Sequence, residues 1–472
     1  MIGGLLLALL PLQAGPTEST PRENVLIVIA DDLGVDRVRA YGYEGPDGKP
    51  LAPRTPNIDR IAAEGVLFRN AWAHPACSQA RAAALTGRYP NRTGIGRFIK
   101  KTEVDTVGLS DEELCLPDVL PSGYRSAILG KWHLVGPQRK AGPTTGDDHP
   151  VRCGFERFLG TEGNLNGPGE PYLSWEYIQA RRGAPEATRV QKLNGVYATT
   201  RTTDDALGVI EEFGEDPWVV WVAYHAPHSP WHRPPPDLVT SEGYDLSTTL
   251  GQGLAMIEAL DAEIGRLLAG VEPEVLARTT VIFFGDNGTQ KRLVEPPFDP
   301  ERAKATVYQG GVNVPFLVSG ARVAEEARGD ESHALIDLCD LLPTVAEIVG
   351  EDVPDGLDGA SLLPALAAPQ VAKGRPWIYA ERFRPNFAPE DDKTFGAQRV
   401  IAHDQTARSE RLKLVRRREF GRDGVKSEVL ELYDVQADFF ERRDLLDAEG
   451  LPPAERKSEF DALLAVLDEM AR

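Results

Sequence analysis

The strongest constraint on the fold of this chain is a set of short, uninterrupted apolar runs. The runs cover residues 25–30, 126–129, 218–224, 280–284 and 314–318. Because they lack the polar alternation of a half-exposed strand, we interpret them as buried strands of a parallel sheet. Helical patterns lie between them, for example over 55–64, 254–268 and 334–349. This alternation predicts an α/β fold with a doubly wound, mainly parallel sheet.

The C-terminal part of the chain has a different pattern. Beyond residues 367–376 the strand candidates, 411–416 and 429–433, are shorter and more polar, and a final helix is predicted over 459–470. We therefore predict a main α/β domain over residues 21–368. A smaller C-terminal α+β domain is predicted over 369–472.

The N-terminus has the features of an export signal. The chain begins MIGGLLLALLPLQA, an apolar stretch that ends in small residues before a polar segment, although a basic start is missing. This pattern predicts a signal peptide and short linker over residues 1–20, and a periplasmic or secreted protein. No later segment has the roughly 18 apolar residues of a membrane helix, so no membrane span is expected.

The net charge of the chain limits the kinds of molecule that it can bind. Lys plus Arg total 52 against 72 Asp plus Glu, a net charge of −20. Such a surface repels phosphate backbones, which argues against nucleic-acid binding. It also argues against long polyanionic substrates unless a local basic pocket overrides the net charge.

The cysteines match no zinc template, and apolar surroundings predict free, unreactive thiols at Cys115, Cys153 and Cys339.

Polar residues follow four of the predicted strands at the point where each strand ends. These residues are Asp31-Asp32, Gly130-Lys131-Trp132-His133, His225-Ala226-Pro227-His228 and Gly285-Asp286-Asn287-Gly288. In open parallel sheets, ligands bind just beyond the carboxyl ends of strands. One such strand end is usually a turn or a helix cap, but four together indicate a site.

Oxygen donors dominate this predicted site. Asp31, Asp32, Asp286 and Asn287 offer only carboxylate and amide oxygens as ligands. That set suits a hard cation, Ca²⁺ or Mg²⁺, and does not suit zinc, which favours His and Cys. The sequence therefore predicts a divalent cation here.

A further segment, His74 to Gly87, predicts a helix that begins near Cys77. At a helix N-terminus the dipole favours anions and lowers the pKa of a thiol. Arg81 lies one turn further on the same face, so an anionic substrate group could dock between the two side chains. The alternative is a small buried residue followed by a solvated arginine.

The segment Cys77-Ser78-Gln79-Ala80-Arg81, continued by Leu85-Thr86-Gly87-Arg88, resembles the signature of the type I sulfatase family. In that family the cysteine is oxidised after translation to formylglycine. The similarity extends, in order, to residues 55–59, 130–134, 226–228, 285–288, 304–311 and 432–434. It implies an alkaline phosphatase-like fold and an arylsulfatase-like hydrolase. It also favours Ca²⁺, with Mg²⁺ as the alternative, and it implies maturation by a formylglycine-generating enzyme.

The resemblance also assigns roles to residues. It implies catalytic roles for Cys77, Arg81, Lys131, His133, His228 and Lys304, and a cation bound by Asp31, Asp32, Cys77, Asp286 and Asn287. In that scheme a hydroxyl of the hydrated aldehyde attacks sulfur, and His133 is the base for sulfate release from the covalent sulfo-enzyme. His228 and Lys304 bind the sulfate and protonate the departing oxygen. Arg81 and Lys131 stabilise the diol.

The chain departs from the family pattern at three positions. Gln79 stands where the family usually has Pro or Ala, Gln309 where Glu is common, and Phe439 where Pro is usual. Gln79 keeps open a non-catalytic binding protein with an unconverted Cys77. A phosphate or phosphonate ester hydrolase of the same fold is the other alternative. Phosphatase relatives usually hold two zinc ions with extra His and Asp ligands, so Lys131, His133 and Lys304 favour sulfate and a single hard cation.

The substrate is expected to be a small-molecule or carbohydrate sulfate ester. The loops predicted to line the pocket, 135–158, 290–302 and 382–395, carry no pattern that selects an aryl, steroid or sugar sulfate. His225 and His232 flank His228 and have no family role, so we interpret them as packing or rim residues.

Overall fold

A computed structural model describes residues 22–100, 108–135, 146–184, 188–241, 243–387, 400–421 and 424–471. Within these residues the chain forms one sheet of ten strands and one of four. The predicted signal segment, 1–20, lies outside the described residues. The domain boundary at 368–369 stays a prediction.

The large sheet is built from the first ten strands. They are β1 (Asn24–Ala30), β2 (Gly65–Trp72), β3 (Arg125–Lys131), β4 (Arg157–Thr161), β5 (Ser174–Arg181), β6 (Arg189–Asn194), β7 (Trp218–Ala223), β8 (Thr279–Gly285), β9 (Phe316–Gly320) and β10 (Asp330–Asp337). Their order across the sheet is β10-β2-β9-β8-β1-β7-β3-β4-β5-β6. The centre, β8-β1-β7-β3-β4, is parallel throughout. The α/β fold with a doubly wound sheet is therefore confirmed.

Eleven helices accompany the strands in the described part of the chain. They are α1 (Pro56–Ala63), α2 (Cys77–Thr86), α3 (Pro90–Thr93), α4 (His149–Arg152), α5 (Ala198–Phe213), α6 (Thr249–Gly270), α7 (Pro273–Ala277), α8 (Gln309–Val312), α9 (Leu341–Val349), α10 (Leu363–Ala367) and α11 (Lys457–Glu469). Alternate residues of β1 enter two separate cores, one shared with α2 and α9 and the other with α1, α5 and α6. Both faces of the sheet are therefore covered, which explains why its central strands are uniformly apolar.

Two predictions about individual elements are wrong. The run 314–318 overlaps strand β9, which begins at Phe316, but β9 pairs antiparallel with both β8 and β2. The predicted helix 334–349 begins only at Leu341, because residues up to Asp337 belong to β10, which pairs with β2. A short apolar run has no periodicity that separates a buried strand from a helix.

The C-terminal sheet is antiparallel and consists of β11 (Ile378–Arg384), β12 (Ala402–Arg408), β13 (Leu412–Gly421) and β14 (Gly424–Asp434). Helix α11 packs its apolar side chains on this sheet, so the predicted strands and final helix are confirmed. The predicted loop 382–395 is wrong at its start, since Arg382–Arg384 end β11, and residues 388–395 lie outside the described residues. Among the described helices, none combines the length and apolarity needed to cross a bilayer.

Candidate active site

Four adjacent strands deliver the polar residues that the sequence singled out. Asp31 and Asp32 follow β1, Asp286 and Asn287 follow β8, Lys131 ends β3, and His228 lies beyond β7. Because β3, β7, β1 and β8 are parallel neighbours, their carboxyl ends lie at one edge of the sheet. The structure therefore brings these residues together in one place.

Cys77 is the first residue of α2 and lies at the centre of this group. Its Sγ is 3.4 Å from Oδ1 of Asp31 and 3.3 Å from Nζ of Lys304. Burial raises the pKa of the Cys77 thiol, and the nearby Lys131 and Lys304 only partly oppose that effect. The predicted lowering of this pKa by the helix dipole is therefore wrong, because loss of hydration outweighs the favourable charges. The unmodified thiol stays protonated.

Arg81 lies one helical turn after Cys77 and is buried. Its Nε donates to Oδ2 of Asp286 at 2.9 Å, and its Nη2 forms an ion pair with the same oxygen at 2.8 Å. Its Nη1 donates to the carbonyl of Lys131 at 2.8 Å. The alternative of a solvated arginine is therefore excluded. The guanidinium connects α2 to the ends of β3 and β8.

The carboxylates of the site have unequal pKa values. Burial would raise the pKa of Asp31, but Lys131, whose Nζ is 2.5 Å from Oδ2, and other cations hold it well below its usual range. Burial raises the pKa of Asp286 to about 6, and the negative charge of Asp31 adds to the shift. The two buried carboxylates repel each other, so additional positive charge would stabilise the ionised pair.

Two buried oxygens in the site have no hydrogen-bond partner within the described residues. They are Oδ2 of Asp32 and Oδ1 of Asn287, although Nδ2 of Asn287 donates to Oδ1 of Asp32 at 2.9 Å. One ligand atom each of Asp31, Asp32, Cys77 and His228 lies within 4.8 Å of the others. Buried acceptors without donors are rare in proteins, and a cation would satisfy them. The donor set thus fits a hard divalent cation.

The two histidines have different surroundings. Nε2 of His133 lies 3.0 Å from the carbonyl of Ile99, and its buried Nδ1 has no partner among the described residues. Burial, reinforced by Lys131, lowers the pKa of His133 well below its usual value, so the ring is neutral. Nε2 of His228 lies 3.8 Å from Asp32, and burial lowers the pKa of His228, opposed by Asp32 and Asp31. A neutral ring with an open nitrogen can accept a proton.

Backbone strain is concentrated at this site. Asp32, His133 and Ala305, which follows Lys304, have φ values of 67°, 64° and 68°. They are three of the four non-glycine residues with positive φ in the described part of the chain. Residues with a Cβ rarely adopt this conformation, and such strain clusters at functional sites.

Exposure shows where a ligand would enter. The side chains of Lys131, Arg81 and Cys77 are at most 2% exposed, whereas those of His228 and Lys304 are 13% and 14% exposed. Burial alone would lower the pKa of Lys304. The ion pair with Asp32 and the other negative groups outweigh this effect and raise that pKa above its usual value. The opening of the site is thus bordered by a charged amine and an imidazole.

Three further residues near the site, His225, His232 and Gln79, make structural contacts. His225 is buried against Thr161, with Nε2 and Oγ1 2.8 Å apart, and His232 contacts Tyr197, so both have the packing role that the sequence analysis favoured. Gln79 is buried, and its Nε2 donates to the carbonyls of Gly96 and Glu381 at 2.6 and 2.9 Å. It joins α2 to the C-terminal sheet, a role that no local pattern indicates.

Comparison with known proteins identifies the family. The family model described as Sulfatase matches residues 23–351. The N-acetylgalactosamine-6-sulfatase of Canis lupus familiaris is 30% identical over 403 residues, which cover 79% of this chain and 72% of that protein. The steryl-sulfatase of Mus musculus is 28% identical over 443 residues, covering 77% and 68%.

Solved structures have the same fold. BT4656 in complex with its substrate D-glucosamine-2-N,6-O-disulfate superposes with a TM-score of 0.68 at 20% identity, covering 95% of this chain and 97% of that one. Ps i-CgsB in complex with k-i-k-neocarrahexaose also has a TM-score of 0.68, at 22% identity and with 95% and 92% coverage. This protein therefore belongs to the sulfatase family, has the alkaline phosphatase-like fold and is a hydrolase of sulfate esters.

Proposed function

We propose that this protein hydrolyses a carbohydrate sulfate ester, using a formylglycine derived from Cys77 and a bound Ca²⁺. The observation that carries the proposal is the position of Cys77, whose Sγ lies 3.3 Å from the ammonium of Lys304 and 3.4 Å from the Asp31 carboxylate. A carbohydrate substrate is supported by relatives named for sugar sulfates, including the N-acetylgalactosamine-6-sulfatases. Export of the protein and conversion of Cys77 by a formylglycine-generating enzyme are part of the same proposal.

The state of Cys77 supports the modified nucleophile. Because burial raises the pKa of its thiol, unmodified Cys77 would be a poor nucleophile at neutral pH. A formylglycine supplies a hydrated aldehyde, whose hydroxyl can attack sulfur. The side chain at position 77 is also within reach of the residues that would hold the cation.

Asp31, Asp32, Asp286 and Asn287 would hold the cation, together with an oxygen that replaces the Cys77 sulfur. The unpartnered oxygens of Asp32 and Asn287 support this assignment. When bound, Ca²⁺ would supply positive charge beside the sulfate and the nucleophilic oxygen. Calcium suits the site because it accepts many carboxylate and carbonyl oxygens in flexible geometry.

The chain's own residues would bind the sulfate and move protons. Lys304 and His228, at the opening, would bind sulfate oxygens and protonate the departing oxygen. The negative charge of a bound sulfate would raise the pKa of His228, which burial lowers in its absence. His133, which is neutral and has an open Nδ1, would accept a proton from the hydroxyl at position 77 when sulfate leaves. Arg81 and Lys131 would stabilise negative charge on that oxygen while they hold Asp286 and Asp31 in place.

The test is mass spectrometry of the tryptic peptide 70–81 from protein co-expressed with a formylglycine-generating enzyme. We expect the mass change for replacement of the thiol by an aldehyde, reactivity towards hydrazides, and hydrolysis of 4-nitrophenyl sulfate. Cys77→Ala should lose the activity, whereas Cys153→Ala is the matched control at another buried cysteine. An unmodified thiol in active protein would refute the proposed nucleophile. Preferred hydrolysis of 4-nitrophenyl phosphate would favour the phosphatase alternative.

A further inference from the structure

A cavity lies beside the candidate active site, between the C-terminal sheet and the segments that carry Ala76, Arg97 and Ala305. Its volume is about 430 Å³, within the range of small-molecule sites. Its lining includes Ala76 and Ala305, which are the chain neighbours of Cys77 and Lys304. The opposite wall comes from the C-terminal sheet, so a molecule held at Cys77 could extend into this space.

The lining of this cavity is strongly basic. It contains five arginines, Arg97, Arg382, Arg384, Arg417 and Arg418, which we call the arginine pocket. Among the residues that the structure describes, the acidic members of the same lining are Asp404 and Glu419. The chain as a whole carries a net charge of −20, so this excess of positive charge reverses the overall balance locally. A concentration of one sign in a cleft attracts ligands of the opposite sign.

Strand register explains how the arginines come together. Arg382 lies opposite Asp404 in the β11–β12 pair, and Asp404 lies opposite Arg417 in the β12–β13 pair. Because side chains alternate along a strand, Arg384 shares the face of Arg382. One face of the C-terminal sheet therefore carries Arg382, Arg384 and Arg417, and Arg382 contacts the carbonyl of Ala305 next to Lys304.

The acidic residues of the lining offset only part of this positive charge. Asp404 is engaged by Arg382, whose guanidinium also donates to the carbonyl of Ala305. Glu419 lies 4.0 Å from Lys426, outside the lining. Arg384 is exposed, and Arg417 is 43% exposed and forms an ion pair with Glu431 at 3.2 Å. These guanidinium groups are accessible to a ligand.

We infer that the substrate carries a second anionic group, a sulfate or a carboxylate, on the sugar next to the scissile sulfate, and that the arginine pocket binds it. Guanidinium groups bind both anions through paired hydrogen bonds. This inference rests on the proposed function and names its substrate class as a multiply charged oligosaccharide. The net charge of −20 disfavours long polyanionic substrates, but a local basic pocket can still bind a short, multiply charged oligosaccharide.

The test measures binding by calorimetry to the Cys77→Ala protein, which needs no turnover. The probes are sucrose octasulfate, a galacturonic acid disaccharide and inorganic sulfate. The double variant Arg384→Gln, Arg417→Gln should weaken binding of sucrose octasulfate or the galacturonate by about tenfold or more, and that of inorganic sulfate by less than about twofold. Which of the two probes responds distinguishes a sulfate from a carboxylate.

Arg60→Gln is the matched control, because Arg60 is 48% exposed, has one carboxylate neighbour and lies outside the cavity. It should leave all the affinities unchanged, and the single variants replace the double one if the latter unfolds. Equal affinities for the parent and the pocket variants with both polyanions would overturn the inference. Failure of the proposed function would instead show as an unmodified Cys77 or absent sulfatase activity, so the two failures are distinguishable.

Discussion

Nζ of Lys304 lies 3.3 Å from Sγ of Cys77, although 227 residues separate them in the chain. The same ammonium forms an ion pair with Oδ1 of Asp32. The other carboxylate oxygen of Asp32, Oδ2, has no hydrogen-bond partner among the described residues. Lys304 therefore contributes positive charge between the residue expected to carry the nucleophile and the carboxylates expected to hold the cation. Its backbone neighbour Ala305 has a φ of 68°, which shows that the loop is held in an unfavourable conformation here.

Lys304→Ala should reduce kcat/KM for 4-nitrophenyl sulfate by about 10² to 10³-fold, because a charge that stabilises the reacting sulfate is removed. Lys291→Ala is the control, since Lys291 is 58% exposed and pairs only with Glu301 in the described structure. Steady-state kinetics on protein with equal formylglycine content separates the two variants. A loss of less than about threefold in Lys304→Ala would contradict the assigned role.

Addition of Ca²⁺ should raise the unfolding temperature of metal-depleted protein, because the cation satisfies the unpartnered oxygens of Asp32 and Asn287. At a concentration of about 100 times Kd the free energy of unfolding should rise by about 2.7 kcal/mol. Asn287→Ala should abolish the shift, whereas Asp299→Ala, at a site whose carboxylate is 52% exposed, should retain it. Thermal unfolding without Ca²⁺, with Ca²⁺ and with Mg²⁺ provides the measurement. Identical unfolding temperatures would exclude the cation site.

Gln79→Ala should destabilise the protein by about 1–3 kcal/mol, because the carbonyls of Gly96 and Glu381 lose a buried donor. Formylglycine content at position 77 should be equal or higher, since alanine is one of the residues that the family usually has there. Chemical denaturation and mass spectrometry of the peptide 70–81 measure the two effects. Gln191→Ala, on the exposed strand β6, is the control. A lower formylglycine content in Gln79→Ala would show that Gln79 assists maturation.

The stability of the C-terminal sheet should depend on the ionisation of Glu381. Burial raises the pKa of Glu381 to about 8, although the backbone N–H of Asn91 and the hydroxyl of Tyr379 oppose this shift. The unfolded chain releases this proton near pH 4.5 and the folded chain retains it, so stability falls as pH rises from about 4.5 to 8.

Glu381→Gln should remove that contribution, which has a maximal slope of about 1.4 kcal/mol per pH unit. The free energy of unfolding is measured by denaturant titration at several pH values. The difference between the variant and the parent protein should increase in favour of the variant as pH rises. Glu428→Gln, on the exposed part of β14, is the control. Parallel pH profiles for Glu381→Gln and the parent would contradict this prediction.

The sequence by itself determined the parallel centre of the sheet and the polar residues at its strand ends. A strand buried on both faces must be apolar throughout, so β1, β3, β7 and β8 are visible as local patterns. The residues that follow them lie at one edge in any parallel sheet. The start of α2 at Cys77 and its end before Gly87 were also local, because Gly87 adopts the left-handed conformation of a helix C-cap.

Only the tertiary structure decided the properties that depend on distant parts of the chain. The direction of β9, the loss of hydration that keeps Cys77 protonated, and the partners of Gln79 all arise from segments up to 302 residues apart. The arginine pocket likewise depends on the register of β11, β12 and β13, which places Arg382 and Arg417 on either side of Asp404. Local periodicity records which face of an element is buried, but not what lies against that face. Burial and charge around a side chain are set by those contacts, and they decide its chemistry.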